Sequence, residues 1–230
     1  MRNANGERRA GWGGVAAVIL FIASAVVSGN VNNPGENGQF VPATVAKAYT
    51  DGHNGTRAAA FIFGVGVIFL LWWFATLWAM MRRAEGGAPR LAVMAGLGLI
   101  MAGTLQMLHL TIDSAIAWRP QDLGSSIVTI AALSSAVGTA SAIGLVAMLG
   151  AVSALAIRTR FLPNWLAWGG VLIGVLWLIS TLGVSTFNGI RGAGGLAYLL
   201  WAVWILGISW TMLRAPREVE GADLQAHAPR

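Results

Sequence analysis

The sequence predicts an all-α membrane protein, a bundle of six transmembrane helices with both termini in the cytoplasm. Three observations carry this. Apolar residues make up 56% of the 230 residues, charged residues only 10%, and mean hydropathy is +0.67. A soluble domain has about 25% charged residues, so much of this chain's surface must meet lipid. Six stretches reach or approach the ~20 apolar residues that a membrane helix needs. The basic residues between them alternate in abundance, and that alternation sets the orientation.

The first stretch, Trp12 to Gly29, follows a cytoplasmic segment, residues 1–11. Arg8 and Arg9 before an apolar run ending Val27-Ser28-Gly29 also have the grammar of a signal peptide, but the run is long for one. It is read as a retained span. Residues 30–57 form the sizeable external loop. Asn30 to Gly38 is rich in Asn and Gly and reads as irregular. Pro42 to Asp51 reads as a short helix, with Pro42 in its first turn and Gly52 at its stop. Val45, Ala48 and Tyr49 share one face of it, expected to lie on the outer mouth of the bundle.

The second stretch, Ala58 to Met81, is bulky (Phe61, Phe63, Phe69, Trp72, Trp73, Phe74, Trp78), so much of it is expected to face lipid. The third runs from Leu91 to Trp118 and the fourth from Ile127 to Ile157. Both exceed the hydrocarbon thickness and should tilt or project. The fourth is dense in small residues spread around the helix, among them Ser134, Ser135, Gly138, Ser141, Gly144 and Gly150. Small residues mark close backbone approach in membranes, so this span is expected at the centre of the bundle. The fifth runs from Trp165 to Phe187 and the sixth from Leu196 to Leu213, which closes the transmembrane domain, residues 12–214. The acidic tail, residues 215–230, reads as disordered and cytoplasmic.

With the N-terminus inside, the cytoplasmic segments hold eleven basic residues: Arg2, Arg8, Arg9, Arg82, Arg83, Arg90, Arg158, Arg160, Arg214, Arg217 and Arg230. The external segments hold four: Lys47, Arg57, Arg119 and Arg191. The positive-inside rule selects this topology. The single lysine against fourteen arginines, with abundant Ala and Gly, suggests high-GC coding and hence a bacterial plasma membrane. The net charge of +6 is accounted for by topology, and the longest basic cluster is a pair, so nucleic acid is not an expected partner. The lipid bilayer is, and a membrane-protein partner or a second copy fits the composition. No cysteine is present, which removes thiolate metal sites, iron–sulfur clusters and cysteine nucleophiles.

Arg82 to Gly96 and Arg158 to Gly170 echo one another: a basic loop, a proline, then a helix rich in small residues. The second of these, Arg160-Phe161-Leu162-Pro163-Asn164-Trp165-Leu166-Ala167, resembles the R-x-F-L-P-x-W-L-G/A element of six-helix membrane proteins of bacteria, with the arginine here directly before the phenylalanine. The stretch Val45 to His53, with Tyr49 and Asp51, is similar to an external A-x-Y-x-D-H stretch in some of them, departing at Gly52. That family carries no established activity, so the resemblance implies the fold and leaves function to the residues.

Ionisable groups inside a span are costly and by default functional candidates. Two stand on the third span, His109 and Asp113, four residues apart and so on one helix face. Gln106 shares that face, and Ala95, Ala102 and Ala117 extend it as a narrow stripe of small and polar residues. The stripe should face the bundle interior. At ~1.5 Å per residue from Arg119, Asp113 lies ~9 Å and His109 ~15 Å into the bilayer. The antiparallel fourth span brings Ser134 and Ser135 level with Asp113, and Thr139 level with His109.

Two function classes follow. The favoured one is non-enzymatic: a polar intramembrane site of Gln106, His109, Asp113, Ser134, Ser135 and Thr139 that handles a proton, cation or small polar solute, or a partner subunit in which the pair only joins helices. The alternative is a metal-dependent membrane hydrolase. In it, His53 and Asp51 on the external loop fold over the mouth toward His109 and Asp113, and two His with one or two Asp hold zinc with an open position for water. No catalytic residue is assigned and no cofactor is required by the sequence. A retinal Schiff base fails for want of a lysine in a span, and in-membrane bis-histidine haem ligation fails for want of a second histidine.

Overall fold

The computed structural model describes residues 4–28, 41–186 and 191–214, with side chains described outside 4–5 and 182–193. The irregular loop segment 30–38, the tail 215–230 and the junction at Val27-Ser28-Gly29 beyond Ser28 lie outside the described residues. Seven α-helices follow in order: α1 (Ala4–Ser28), α2 (Pro42–Asp51), α3 (His53–Glu85), α4 (Arg90–Trp118), α5 (Ser126–Thr159), α6 (Asn164–Thr186) and α7 (Arg191–Leu213). One 3₁₀ turn, Pro120–Leu123, joins α4 to α5. All but α2 are long and apolar enough to cross a membrane, six spans as the sequence predicts.

Each span packs against its neighbours in sequence, and α7 returns to α1. The bundle is therefore a closed ring in chain order, the arrangement that short loops between antiparallel helices favour. The fourth span touches several neighbours as expected, α2, α3, α4 and α6, but from a place in the ring and not from its axis. More of α5 is buried than of any other span, but it sits in the ring between α4 and α6. Much of the bulky span α3 lies outside the core, as expected, and its aromatics divide between the two faces. Phe61, Trp72 and Trp78 are exposed, whereas Phe63, Trp73 and Phe74 are buried in the core. A helix as apolar as this presents the same chemistry to lipid and to its partners, so composition does not separate the two faces.

α3 is longer than the sequence suggests. It begins at His53, one residue after α2 ends, and at 33 residues extends ~50 Å. Gly52 is the hinge between them, with φ −96°, so the turn needs no left-handed residue. α2 lies across the ends of α3, α4 and α5, with Val45 and Tyr49 buried against Ile116, Ile127 and Ala131. This is the face expected from their i, i+4 spacing.

The two echoed loops close the opposite end with one geometry. Gly86 ends α3 and Arg160 ends α5, both left-handed at φ 70° and 56°. Pro89 and Pro163 each follow three positions later, and their carbonyls accept from Val93 N and Ala167 N. Glu85 supplies carboxylate oxygens to Leu91 N (2.8 Å) and Ala92 N (3.2 Å), satisfying amides at the start of α4. At the same end, buried Glu7 of α1 takes the Arg83 guanidinium of α3 at 2.9 Å.

Candidate functional site

The seam between α4 and α5 is built in two ways. Toward the echoed loops the backbones nearly touch. A Cβ on Gly98 would lie 2.7 Å from Gly144 O, and one on Gly144 would lie 2.6 Å from Gly98 O and from Ala102 N. Only glycine fits that crossing. Toward α2 the helices are joined by side chains instead, and the sequence-predicted residues gather there.

The stripe on α4 faces inward as expected: Ala95, Ala102, Asp113 and Ala117 are buried. Asp113 Oδ1 accepts two hydroxyls, Ser134 Oγ of α5 at 2.7 Å and Tyr49 OH of α2 at 2.9 Å. His109 Nδ1 lies 2.8 Å from Ser134 Oγ, and its Nε2 lies 3.7 Å from Asp113 Oδ2. The Ser134 hydroxyl has one hydrogen. Its other acceptor, His109 O, is more distant at 3.1 Å, and the shorter bond to a carboxylate is the stronger. With that hydrogen on Asp113, Nδ1 carries a hydrogen and donates to Ser134 Oγ. This tautomer is assigned from the bonding pattern.

Burial, and then the Asp113 carboxylate it bonds, push the Tyr49 phenol well above its ordinary range. Tyr49 is thus a fixed donor at any physiological pH. It ties the external helix to a charge-bearing residue of α4.

Gln106 and Ser141 meet across the same seam at 3.1 Å. Ser135 and Thr139 do not join the Asp113 cluster: Thr139 Oγ1 donates to Ser135 O within α5. Both instead line a cavity of about 1150 Å³ that all six spans enclose. Its α4–α5 wall carries Gln106, His109, Ser135, Thr139 and Ser141; the facing wall is Phe21 of α1, Phe63, Val67 and Leu70 of α3, and Tyr198 and Trp201 of α7. Phe21 packs on Phe63 and Trp201, with ring centroids 4.7 and 5.8 Å apart.

His53 is not brought to this cluster by its own hydrogen bond, which runs from Nδ1 to Thr50 O in the exposed turn before α3. Among the described residues, no three His, Cys, Asp or Glu side chains gather as a metal site.

Tyr49 and Ser141 are site residues that the sequence reading did not single out, as are the aromatic walls of α1 and α7. Tyr49 carried a signal: it shares the inward face of α2 with Val45. Phe21 and Trp201 carried none, because their meeting depends on the ring closing between the first and last spans. No protein-family model, curated protein or solved structure matches this chain.

Proposed function

We propose that this integral membrane protein is a non-enzymatic, solute-binding bundle in which His109 and Asp113 hold an exchangeable proton at the wall of the internal cavity. The observation that supports this reading is the double position of His109. Its ring lines the cavity, and it is also bonded into the Asp113–Ser134–Tyr49 cluster. A solute or proton reaching the cavity therefore meets a group whose charge is set by a buried carboxylate. Histidine is the side chain that switches near neutral pH. Polar contacts between membrane helices contribute only ~0.6 to 2 kcal/mol. That is a small return for burying a carboxylate merely to join helices. The hydrolase alternative draws no support from His53, which bonds locally.

The test uses the proton itself as probe. In proteoliposomes with an internal pH indicator, the wild-type chain should dissipate an imposed pH gradient in a pH-dependent way. Asp113→Asn and His109→Gln should lose that response while keeping the helical content and elution volume of the wild type. Equal flux in wild type, both variants and empty liposomes would remove proton handling and leave the pair as a structural joint.

The same reading sets the chain in a bacterial plasma membrane, both termini inside, in keeping with the resemblance of Arg160 to Ala167. The eleven-to-four distribution of basic residues supports it. Single cysteines at Gly86 and at exposed Lys47 should react with a membrane-impermeant maleimide from opposite sides, Gly86→Cys only from within. Labelling of Gly86→Cys in intact cells would reverse the orientation.

A further inference from the structure

The cavity has two unlike walls, and the seam between α3 and α4 is open beside one of them. The α4–α5 wall offers hydrogen-bonding groups; the α1–α3–α7 wall is aromatic and aliphatic. Among the described lining residues there is no Lys, Arg, Asp or Glu, so a charged ligand head would find no counter-ion except at His109, which already lies 3.7 Å from the Asp113 carboxylate. A buried unpaired charge is strongly disfavoured. The matching ligand is uncharged and amphipathic.

The seam explains how such a ligand arrives. α3 and α4 touch where Met107 Cε reaches the position of a Gly64 Cβ (3.5 Å) and where Phe74 Cε1 reaches that of Gly96 (3.8 Å). Between these two points, on the same face of α4, a Cβ on Gly103 would stand in open space. Leu71 and Ile100 line the cavity and are 48% and 59% exposed. Thr104 is likewise both lining and exposed. This gap lies midway along α4, away from the ends of the span. A second rim, at exposed Ala132 and Ala136 of α5, borders the polar wall beside Ser135.

We propose that the cavity takes a neutral, membrane-partitioned amphiphile, such as a long-chain alcohol, through the α3–α4 seam. Its apolar body lies against Phe63, Leu70 and Trp201, and its hydroxyl meets Gln106 and His109. The α3–α4 gap is favoured over the α5 rim because it opens beside the wall that the apolar body contacts. This inference rests on the reading of the cavity as a binding site and adds the ligand class and the route.

The experiment is photolabelling of the full chain in lipid nanodiscs. The hydrophobic probe is hexadecanol bearing a chain diazirine; the aqueous probe is a short diazirine diol. Labelled positions are read by peptide mass spectrometry. The expected result is labelling of Phe63, Tyr198 and Trp201 by the hexadecanol probe, reduced by excess unlabelled hexadecanol. It should be lost in Gly103→Phe, which fills the gap, and retained in Gly150→Phe, whose side chain also projects into open space on the lipid side. Thr104→Trp, at an already exposed position, serves the same purpose should Gly103→Phe not fold. Cavity labelling that survives both seam variants would overturn the α3–α4 route. Labelling of the cavity by the diol and not by hexadecanol would overturn the ligand class while keeping a polar solute in the cavity. Absence of cavity labelling by either probe would overturn the binding reading itself.

Discussion

The two ends of the α4–α5 seam show two ways of holding membrane helices together. At the Gly98–Gly144 crossing the join is backbone on backbone, with no side chain between. Near α2 the same two helices are bridged by His109, Ser134 and Asp113, with Tyr49 added from outside the span. Lipid offers no hydrophobic drive between helices, so close van der Waals packing must hold the first end. The second end trades tightness for chemistry. A helix pair built only as at Gly98 would leave no interior, and one built only as at His109 would lack a rigid pivot.

The largest expected effect breaks the tight end. Gly144→Leu places a branched side chain where a Cβ alone would meet Gly98 O at 2.6 Å. Overpacking of this kind costs about 3 kcal/mol or more, seen as a large fall in midpoint in detergent melting or as failure to fold. Phe61→Leu, at a position 74% exposed to lipid, should change stability by less than about 0.5 kcal/mol. Similar melting of the two variants would remove the claim that the crossing holds the pair.

A smaller effect is expected at the bridged end. Asp113→Asn keeps the shape and still accepts from Ser134 and Tyr49, but it removes the carboxylate that lies 3.7 Å from His109 Nε2. Stability should fall by about 1 kcal/mol, the scale of polar contacts in membranes. A loss as large as that of Gly144→Leu would show the polar cluster, not the glycine crossing, to be the main joint.

The smallest effect concerns the tether from α2. Tyr49→Phe removes one hydrogen bond to Asp113 and should cost about 1 kcal/mol or less. Its pH dependence has a definite sign. The folded phenol is held above its ordinary range by burial and by Asp113. Tyr49 thus contributes stability that is full below about pH 10, where the unfolded phenol begins to ionise. That contribution is lost as pH rises from there toward the folded value. The wild type should lose stability above about pH 10 faster than Tyr49→Phe. Parallel alkaline curves would show that Tyr49 is not buried against Asp113 in solution.

Much of this was legible in the chain. Hydropathy and length are local properties, and they locate the six spans to within a turn or so at most ends. The stripe of Ala95, Ala102, Gln106, His109, Asp113 and Ala117 follows from 100° per residue and faces inward as expected. Ser134 meets Asp113 because antiparallel neighbours joined by a short turn must align. The failures have one physical cause. In a helix such as α3, apolar on every side, periodicity cannot tell Trp73, which is buried, from Trp72, which is exposed. Small residues on α5 signal close packing but do not count its partners, so a ring position and a central one look alike.

The sequence by itself determined that this chain enters a membrane, how many times it crosses, and which face of α4 carries its ionisable pair. These follow from transfer free energies and helix geometry, which act residue by residue. The tertiary structure decided what the pair touches. Closing the ring from α7 to α1 sets Phe21 and Trp201 opposite His109, and laying α2 across the bundle brings Tyr49 to Asp113. Both depend on contacts between residues far apart in the chain, whose energies exist only after the helices have packed.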